Sequence, residues 1–183
     1  DYFGKNFVLN DLTYEGGLTA IRIEGPINSV DQRLNRLSKE LGLLDQELSI
    51  LDNEQSNIFW GRTKNLEVFK SLKSNLLRIV VPISETLQVI QKFKNYKIKY
   101  FIDWGGSLIW SSFDQLNNKI LNEIKDIVKK HEGYITLIKV EEDLKASADI
   151  FTIDPIKYKI SEKIKRSFDP KRIFNPGKMY TGI

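Results

Sequence analysis

The sequence predicts an α+β fold: an antiparallel sheet with helices on one face, preceded by an extra strand–helix–strand unit. Apolar and polar residues alternate over short segments, apolar residues recur every three or four positions over longer ones, and glycine or proline separates the segments. The 183-residue chain is 41% hydrophobic and 28% charged, with no cysteine and a formal net charge of +4. These values are typical of an ordinary globular domain.

The predicted extra unit begins near residue 16. Leu18–Glu24 alternate as a strand, which a Gly-Pro pair ends. Ser29 is the predicted N-cap of a helix that stops at Gly42, and a second strand is predicted near Asp45–Leu51. The first fifteen residues lack periodicity and are interpreted as a connector.

The stretch Asp52–Lys73 is less regular than its neighbours. It predicts one or two helices. The expected inward-facing anchors are Ile58, Phe59, Trp60, Leu66 and Phe69.

A clearer pattern follows between residues 76 and 140. The predicted strands are Leu76–Val81, Lys97–Trp104, Leu108–Phe113 and Tyr134–Val140. Two predicted helices have apolar faces, formed by Leu87, Ile90 and Phe93 in the first and by Leu116, Ile120, Ile124 and Ile127 in the second. The order strand–helix–strand–strand–helix–strand is the ferredoxin-like split motif.

The C-terminal region contains one more predicted helix, Pro155–Phe168, with apolar residues at intervals of four. The tail after it contains two prolines and a glycine, which favour an ordered turn over a helix. By itself the tail predicts a clamp in which a buried phenylalanine and a turn attach the chain end.

The composition excludes several kinds of chemistry. Without cysteine there are no disulfides, zinc–thiolate sites, iron–sulfur ligands or cysteine nucleophile. The single histidine, His131, is interpreted as a surface residue, and it cannot form a histidine-rich metal site alone. No GxGxxG motif or phosphate loop occurs. We therefore predict no catalytic residue and no metal ligand in this chain.

Two short motifs leave alternatives open. The acidic run Glu141-Glu142-Asp143 is interpreted as a solvated strand exit, with cation binding or base chemistry as the alternative. Asp103-Trp104-Gly105-Gly106 predicts either a turn with a packed aromatic side chain or a hairpin that carries Trp104 to the edge of a pocket.

The tail also carries a family resemblance. Asp169-Pro170 followed by Asn175-Pro176-Gly177-Lys178 resembles the ending of FAD-linked oxidases of the vanillyl-alcohol oxidase type. Three further stretches are similar, in order, to the cap domain of the FAD-binding E subunit of glycolate oxidase: Leu18–Gly25, Leu76–Pro82 and Ile102–Trp110. With the tail they span most of residues 16–180.

The resemblance implies a ferredoxin-like cap domain over residues 16–168, which roofs a flavin. Residues 1–15 would connect it to an N-terminal FAD-binding domain, and the tail 169–183 would return to that domain. FAD is expected in the full-length protein but not in this piece, which we expect to be excised and inactive. Implied partners are the catalytic FAD subunit and an iron–sulfur subunit. The implied location is cytoplasmic, with a peripheral position at the inner membrane left open.

The resemblance carries few site residues. Asn175, Gly177 and Lys178 match the tail turn and are candidates for flavin contacts, while Arg78 and Trp104 match cap positions that could face a substrate pocket. Catalytic family members place histidines beside the flavin, and His131 does not match such a position. An arginine beside a hydroxy acid would pair with its carboxylate; the alternative for Arg78 is a solvent-facing strand residue.

Two other function classes remain open: an RNA-binding module and a structural interaction domain without enzymatic activity. RNA-recognition domains carry an aromatic run on a central strand, and Leu108–Phe113 offers only Trp110 and Phe113. No block of five like charges occurs, so the basic balance is read as a solvated surface. Neither a nucleic-acid partner nor a transmembrane segment is expected.

Overall fold

The computed structural model describes residues 2–4, 19–40, 48–70, 75–152, 154–178 and 180. They belong to two compact units, Asp1–Ser71 and Leu72–Ile183. The helix end predicted at Gly42 lies outside the described residues, as do Leu18 and residues 45–47 of the predicted strands. No helix in the described part combines the length and apolarity needed to cross a bilayer.

The first unit contains a three-stranded antiparallel sheet. Its elements are β1 (Tyr2–Gly4), β2 (Ala20–Ile21), α1 (Ile27–Glu40), β3 (Leu48–Ile50) and α2 (Asn53–Lys64). The predicted strand–helix–strand order is present as β2, α1 and β3. The two strands do not pair with each other, because β1, from the predicted connector, lies between them.

Two details of the first unit correct the predictions. Helix α1 begins before Ser29, because the Pro26 carbonyl already accepts the Ser29 and Val30 N–H groups at 2.9 and 3.0 Å; Ser29 is therefore not the N-cap. Of the predicted anchors in and after α2, Phe59 and Phe69 are buried, but Ile58 is 46% exposed. In α2 the Phe59 side chain faces the interior, while Ile58, about 100° away around the helix axis, faces solvent.

The second unit contains the predicted ferredoxin-like arrangement. Its strands are β4 (Leu76–Val80), β5 (Ile98–Asp103), β6 (Leu108–Phe113) and β7 (Tyr134–Lys139), and its helices are α3 (Thr86–Phe93), α4 (Asn118–Lys130), α5 (Glu142–Ser147) and α6 (Pro155–Phe168). The strands form one antiparallel sheet in the order β5-β6-β4-β7. The predicted α+β fold class is confirmed.

The core of this unit lies between the sheet and the helices α3 and α4. The fully buried side chains include Leu77, Ile79, Ile109, Phe113, Val89, Phe93, Leu121, Ile124 and Val128. Phe93 of α3 meets Phe113 of β6 edge to face, with ring centroids 5.5 Å apart. The prediction that Leu87 faces the core is wrong: Leu87 is 69% exposed and Val89 takes the inward position, because α3 is rotated relative to the predicted face.

Candidate functional site

The sheet face opposite the core helices carries the first group of candidate residues. Leu77 and Ile79 of β4 point into the core, so Arg78 between them points to the other face. In register, Arg78 lies opposite Trp110 of β6 and Thr136 of β7, and Trp110 lies opposite Phe101 of β5. Directly paired residues share a face. Arg78 therefore stands in one row with Trp110, Phe101 and Thr136, which we call the Arg78 row.

Trp104 joins this row through a contact with Arg78. The Arg78 guanidinium carbon lies 4.7 Å from the centroid of the Trp104 ring, within the range of a cation–π interaction. Trp104 itself is 58% exposed. None of the ion pairs found among the described residues involves Arg78. The two candidate pocket residues thus lie together, with the guanidinium covered on one side by an aromatic ring.

The turn after β5 positions Trp104. Trp104–Gly106 form a tight turn in which the Trp104 N–H donates to Asp103 Oδ1 at 2.7 Å. The Ser107 hydroxyl donates to the Trp104 carbonyl at 3.2 Å. Trp104, Gly105 and Gly106 all have positive φ, at 54°, 62° and 116°. The turn therefore exposes Trp104 on the Arg78 side of the hairpin.

The second group of candidates lies in the tail, which Asp169 organises. Asp169 Oδ1 accepts the Ile173 N–H and Oδ2 accepts the Phe174 N–H, both at 2.9 Å. Oδ2 also lies 2.8 Å from Lys165 Nζ. The Lys165 hydrogen bond, aided by the two backbone N–H groups and opposed by burial, lowers the pKa of Asp169 from 3.8 to about 2. Asp169 is therefore the residue that bends the chain after α6.

We call Asp169 and its contacts with Lys165, Ile173 and Phe174 the Asp169 clamp. The prediction that a buried phenylalanine attaches the tail is wrong. Phe168 and Phe174 are 84% and 67% exposed, whereas Asp169 is 6% exposed. The Asp-Pro motif was noted in the sequence only as a family signature. An acidic residue directly after a helix and before a turn could have indicated the clamp, because a carboxylate accepts the free N–H groups of such a turn.

The three predicted flavin-contact residues lie on an exposed turn. Asn175 and Gly177 have positive φ, at 46° and 68°, and the Lys178 N–H donates to the Asn175 carbonyl at 3.3 Å. All three are exposed. A Cβ on Gly177 would meet nothing within 4 Å, so its backbone is open to an approaching group. The structure brings these three residues together.

Beyond this turn the chain returns to its own unit. Tyr180 is 9% exposed. Its ring centroid lies 5.9 Å from that of Phe151 and 6.0 Å from that of Tyr158. The pKa of Tyr180 is raised, mainly by burial and secondarily by the Asp149 charge. The exposed turn is therefore attached at both ends, by Asp169 and by Tyr180.

Helix α6 and the tail expose an apolar stripe. None of the described residues of α6 is buried. The side chains of the stripe are between 53% and 84% exposed and comprise Ile156, Ile160, Ile164, Phe168, Ile173 and Phe174. Residues four apart share one helix face, so the helical members form a continuous strip. A large exposed apolar patch marks an interaction surface more often than a free one.

The remaining candidates do not form a metal or catalytic site. His131 follows α4, and its Nδ1 lies 2.6 Å from Glu85 Oε2. Glu141, Glu142 and Asp143 are exposed at the start of α5. Among the described residues, no group of histidine and acidic side chains is placed to hold a metal ion. A polar pocket of about 240 Å³ lies at the sheet end opposite Trp104, lined by Asn75, Asp114, Gln115, Leu116, Asn117, Glu141 and Leu144.

Part of the chain matches a known protein family. A family model described as "FAD linked oxidases, C-terminal domain" matches residues 151–179. The matched segment contains α6, the Asp169 clamp and the exposed turn. No curated protein and no solved structure matches the chain. The match supports a C-terminal domain of an FAD-linked oxidase, a family whose full-length members contain FAD, and the α+β fold agrees with such a domain.

Proposed function

We propose that this chain is the cap-domain part of an FAD-binding subunit in a glycolate (2-hydroxy acid) oxidase or dehydrogenase complex. It would roof the flavin and contribute to subunit assembly. We propose residues 1–15 as the connector, 16–168 as the cap and 169–183 as the returning tail. The proposed partners are its own N-terminal FAD-binding domain, a catalytic FAD subunit and an iron–sulfur subunit, in the cytoplasm or at the inner membrane.

The observation that carries this proposal is the position of the exposed stripe. It lies within the segment 151–179 that matches the family model. The same segment holds a polar turn, attached at both ends and directed away from the core. An apolar strip beside an ordered polar turn fits a surface that docks a further domain. We assign this surface to the flavin domain.

The turn residues fit the edge of a flavin site better than its centre. Gly177 offers an open backbone and Lys178 an exposed cation, which suit contact with a carbonyl or phosphate oxygen. The chain contains no phosphate-binding loop, so most FAD contacts fall to the partner domain. When bound, FAD supplies the hydride acceptor; this chain's residues orient the substrate and exclude water.

The Arg78 row is the proposed wall of the substrate pocket. The Arg78 guanidinium takes part in none of the ion pairs found among the described residues, and its carbon lies 4.7 Å from the centroid of the Trp104 ring. A guanidinium binds a carboxylate through two parallel N–H donors, and Trp110 and Phe101 provide apolar surface beside it. This arrangement supports binding of a small organic carboxylate such as glycolate.

Reconstitution with a separately expressed flavin domain tests the docking surface. We expect the double variant Ile160→Asp, Ile164→Asp to bind that domain at least tenfold more weakly and to lower its FAD retention. These positions are exposed, so the melting temperature of the isolated chain should change little. Leu87→Asp is the control for introducing a carboxylate on an exposed helix, because Leu87 is also exposed and helical but lies outside the matched segment; Ile160→Asp alone is compared with it charge for charge.

The outcomes separate the two function classes. Loss of binding in the double variant alone supports the proposal. Equal loss in both variants indicates a general effect of the introduced charge. No binding of the flavin domain by the unchanged chain contradicts the proposal and favours an interaction or RNA-binding module without enzymatic activity.

A further inference from the structure

The turn after β5 contains a residue in an unfavourable conformation. Trp104, Gly105 and Gly106 follow one another with φ of 54°, 62° and 116°. Glycine adopts such values freely, but a large side chain in this region is an outlier that persists only where its surroundings impose it. Trp104 is 58% exposed. Burial of its ring therefore offsets little of this strain.

Hydrogen bonds from its own strand and from the segment after β4 hold the turn. Asp103 accepts the Trp104 N–H, and the Thr86 hydroxyl donates to the Gly106 carbonyl. The Val81 N–H, directly after β4, donates to the Ser107 carbonyl at 3.0 Å. A Cβ on Gly106 would lie 3.3 Å from Ile83 Cγ2, so the backbone is also confined sterically. These contacts fix the backbone of the turn from which the Trp104 side chain projects.

The indole that projects from this turn lies against Arg78. The guanidinium carbon lies 4.7 Å from the ring centroid. A flexible arginine loses considerable rotamer freedom when it binds a ligand, and stacking on an aromatic face restricts the guanidinium beforehand. A planar guanidinium covered on one face keeps its edge donors available.

We propose that Trp104 is a positioning residue: its strained turn holds the indole on Arg78 and pre-orients the guanidinium for a carboxylate. The inference rests on the proposed function in one respect, namely that this carboxylate belongs to the 2-hydroxy acid substrate. Trp104 acts through Arg78 and takes no part in the chemistry.

The first test uses the 183-residue chain and nuclear magnetic resonance of the Arg78 Nε–Hε group. Glycolate should shift this resonance, while glycolamide, its uncharged analogue, should not, at ionic strength held constant with sodium chloride. Trp104→Gly should weaken glycolate binding about three- to tenfold, because Arg78 must then lose its rotamer freedom when it binds the carboxylate. Trp104→Phe should restore most of the affinity.

Stability gives the readout that a merely structural role would not produce. Glycine accepts a positive φ, so Trp104→Gly should melt at the same temperature as the unchanged chain or higher. In the complete flavoprotein this variant should raise KM for glycolate and change kcat much less. A lower melting temperature with unchanged glycolate affinity overturns the inference, and so does the absence of any glycolate-dependent shift in the unchanged chain. If the shift is present but the complete protein oxidises no hydroxy acid, the proposed function fails and the positioning role stands.

Discussion

Lys165 and Asp169 form an ion pair at the end of α6, with 2.8 Å between Lys165 Nζ and Asp169 Oδ2 and side-chain exposures of 17% and 6%. Lys165 also donates to the Phe174 carbonyl. Asp169 accepts the Ile173 and Phe174 N–H groups. The pair therefore joins the last turn of the helix to the tail, and every member lies within the segment matched by the family model.

Asp169→Asn should loosen the tail and remove a pH dependence of stability. The folded-state pKa of Asp169 is about 2, below its ordinary value of 3.8. A lowered carboxyl pKa contributes stability that is complete above the unfolded pKa and is lost as pH falls through the folded pKa. The melting-temperature difference between the unchanged chain and the variant should therefore shrink as pH falls from about 4 to 2.

Amide hydrogen exchange measures which residues of the tail Asp169→Asn loosens. In Asp169→Asn at neutral pH, the Ile173 and Phe174 amides should exchange faster, because their acceptor is no longer charged. Asp126→Asn removes an exposed carboxylate from α4 and is the control for loss of one surface charge. A melting-temperature difference that stays constant between pH 5 and 2 would contradict the predicted linkage.

Asn75→Ala should strongly destabilise the second unit. The buried Asn75 side chain donates to the Phe113 carbonyl at 2.7 Å and accepts the Phe113 N–H at 2.8 Å. Alanine would leave both buried backbone groups without these bonds, at a cost of about 1–3 kcal/mol each. Urea unfolding measures the loss. Asn95→Ala, at an exposed position, is the control and should be nearly neutral; equal effects of the two substitutions would refute the role of Asn75.

Gly133→Ala should destabilise the fold through crowding. A Cβ at Gly133 would collide with Val81 Cγ1 and lie 2.6 Å from the Val80 carbonyl and 2.7 Å from Val128 Cγ1. Overpacking of this kind costs about 1–3 kcal/mol. Gly61→Ala is the matched substitution, because Gly61 lies within α2 and a Cβ there meets nothing within 4 Å.

The two alanine substitutions should therefore have different effects on the free energy of unfolding, which Gly133→Ala lowers. Gly61→Ala is expected to be neutral or to stabilise by up to about 1 kcal/mol, since alanine favours a helix over glycine. Thermal melts compare them directly. A Gly133→Ala variant as stable as the unchanged chain would show that the contact between the start of β7 and β4 can relax.

Asn175→Gly separates a docking role from a structural one. Asn175 is exposed with φ of 46°, and glycine tolerates this conformation. The isolated chain should therefore keep its melting temperature, while the complete flavoprotein should release FAD faster because a side-chain amide is lost from the proposed flavin edge. A clear fall in melting temperature with unchanged FAD release would indicate a local structural turn.

Much of the fold follows from local pattern. The bounds predicted for Leu108–Phe113 and Pro155–Phe168 agree with β6 and α6. Alternation and glycine or proline stops act over a few residues, so the sequence alone reveals them. Capping was predicted less well: Ser29 is not the N-cap of α1, and Asp154, which was not predicted, caps α6 by accepting the Ile156 N–H at 2.8 Å.

The errors occur where a helix or strand meets the rest of the fold. Leu87 is apolar at helical spacing and Ile58 begins a run of three apolar residues, yet both are exposed. A local pattern does not give the rotation of a helix against the rest of its unit. Strand β1 was missed, since three residues within an irregular stretch gain their structure from pairing with β2 and β3. Pairing between distant segments leaves little local signal.

The candidate site, like the fold, combines features that the sequence determines with features that depend on the tertiary structure. The sequence by itself determined the residue types: an arginine within a strand, a tryptophan before two glycines, and an Asp-Pro and Asn-Pro-Gly tail. Only the tertiary structure decided that Arg78 stacks on Trp104 and that Asp169 closes onto Lys165, Ile173 and Phe174. Local sequence sets backbone preferences over a few residues, whereas a contact between β4 and the turn after β5 depends on strand order and register, which the packing of the whole unit selects.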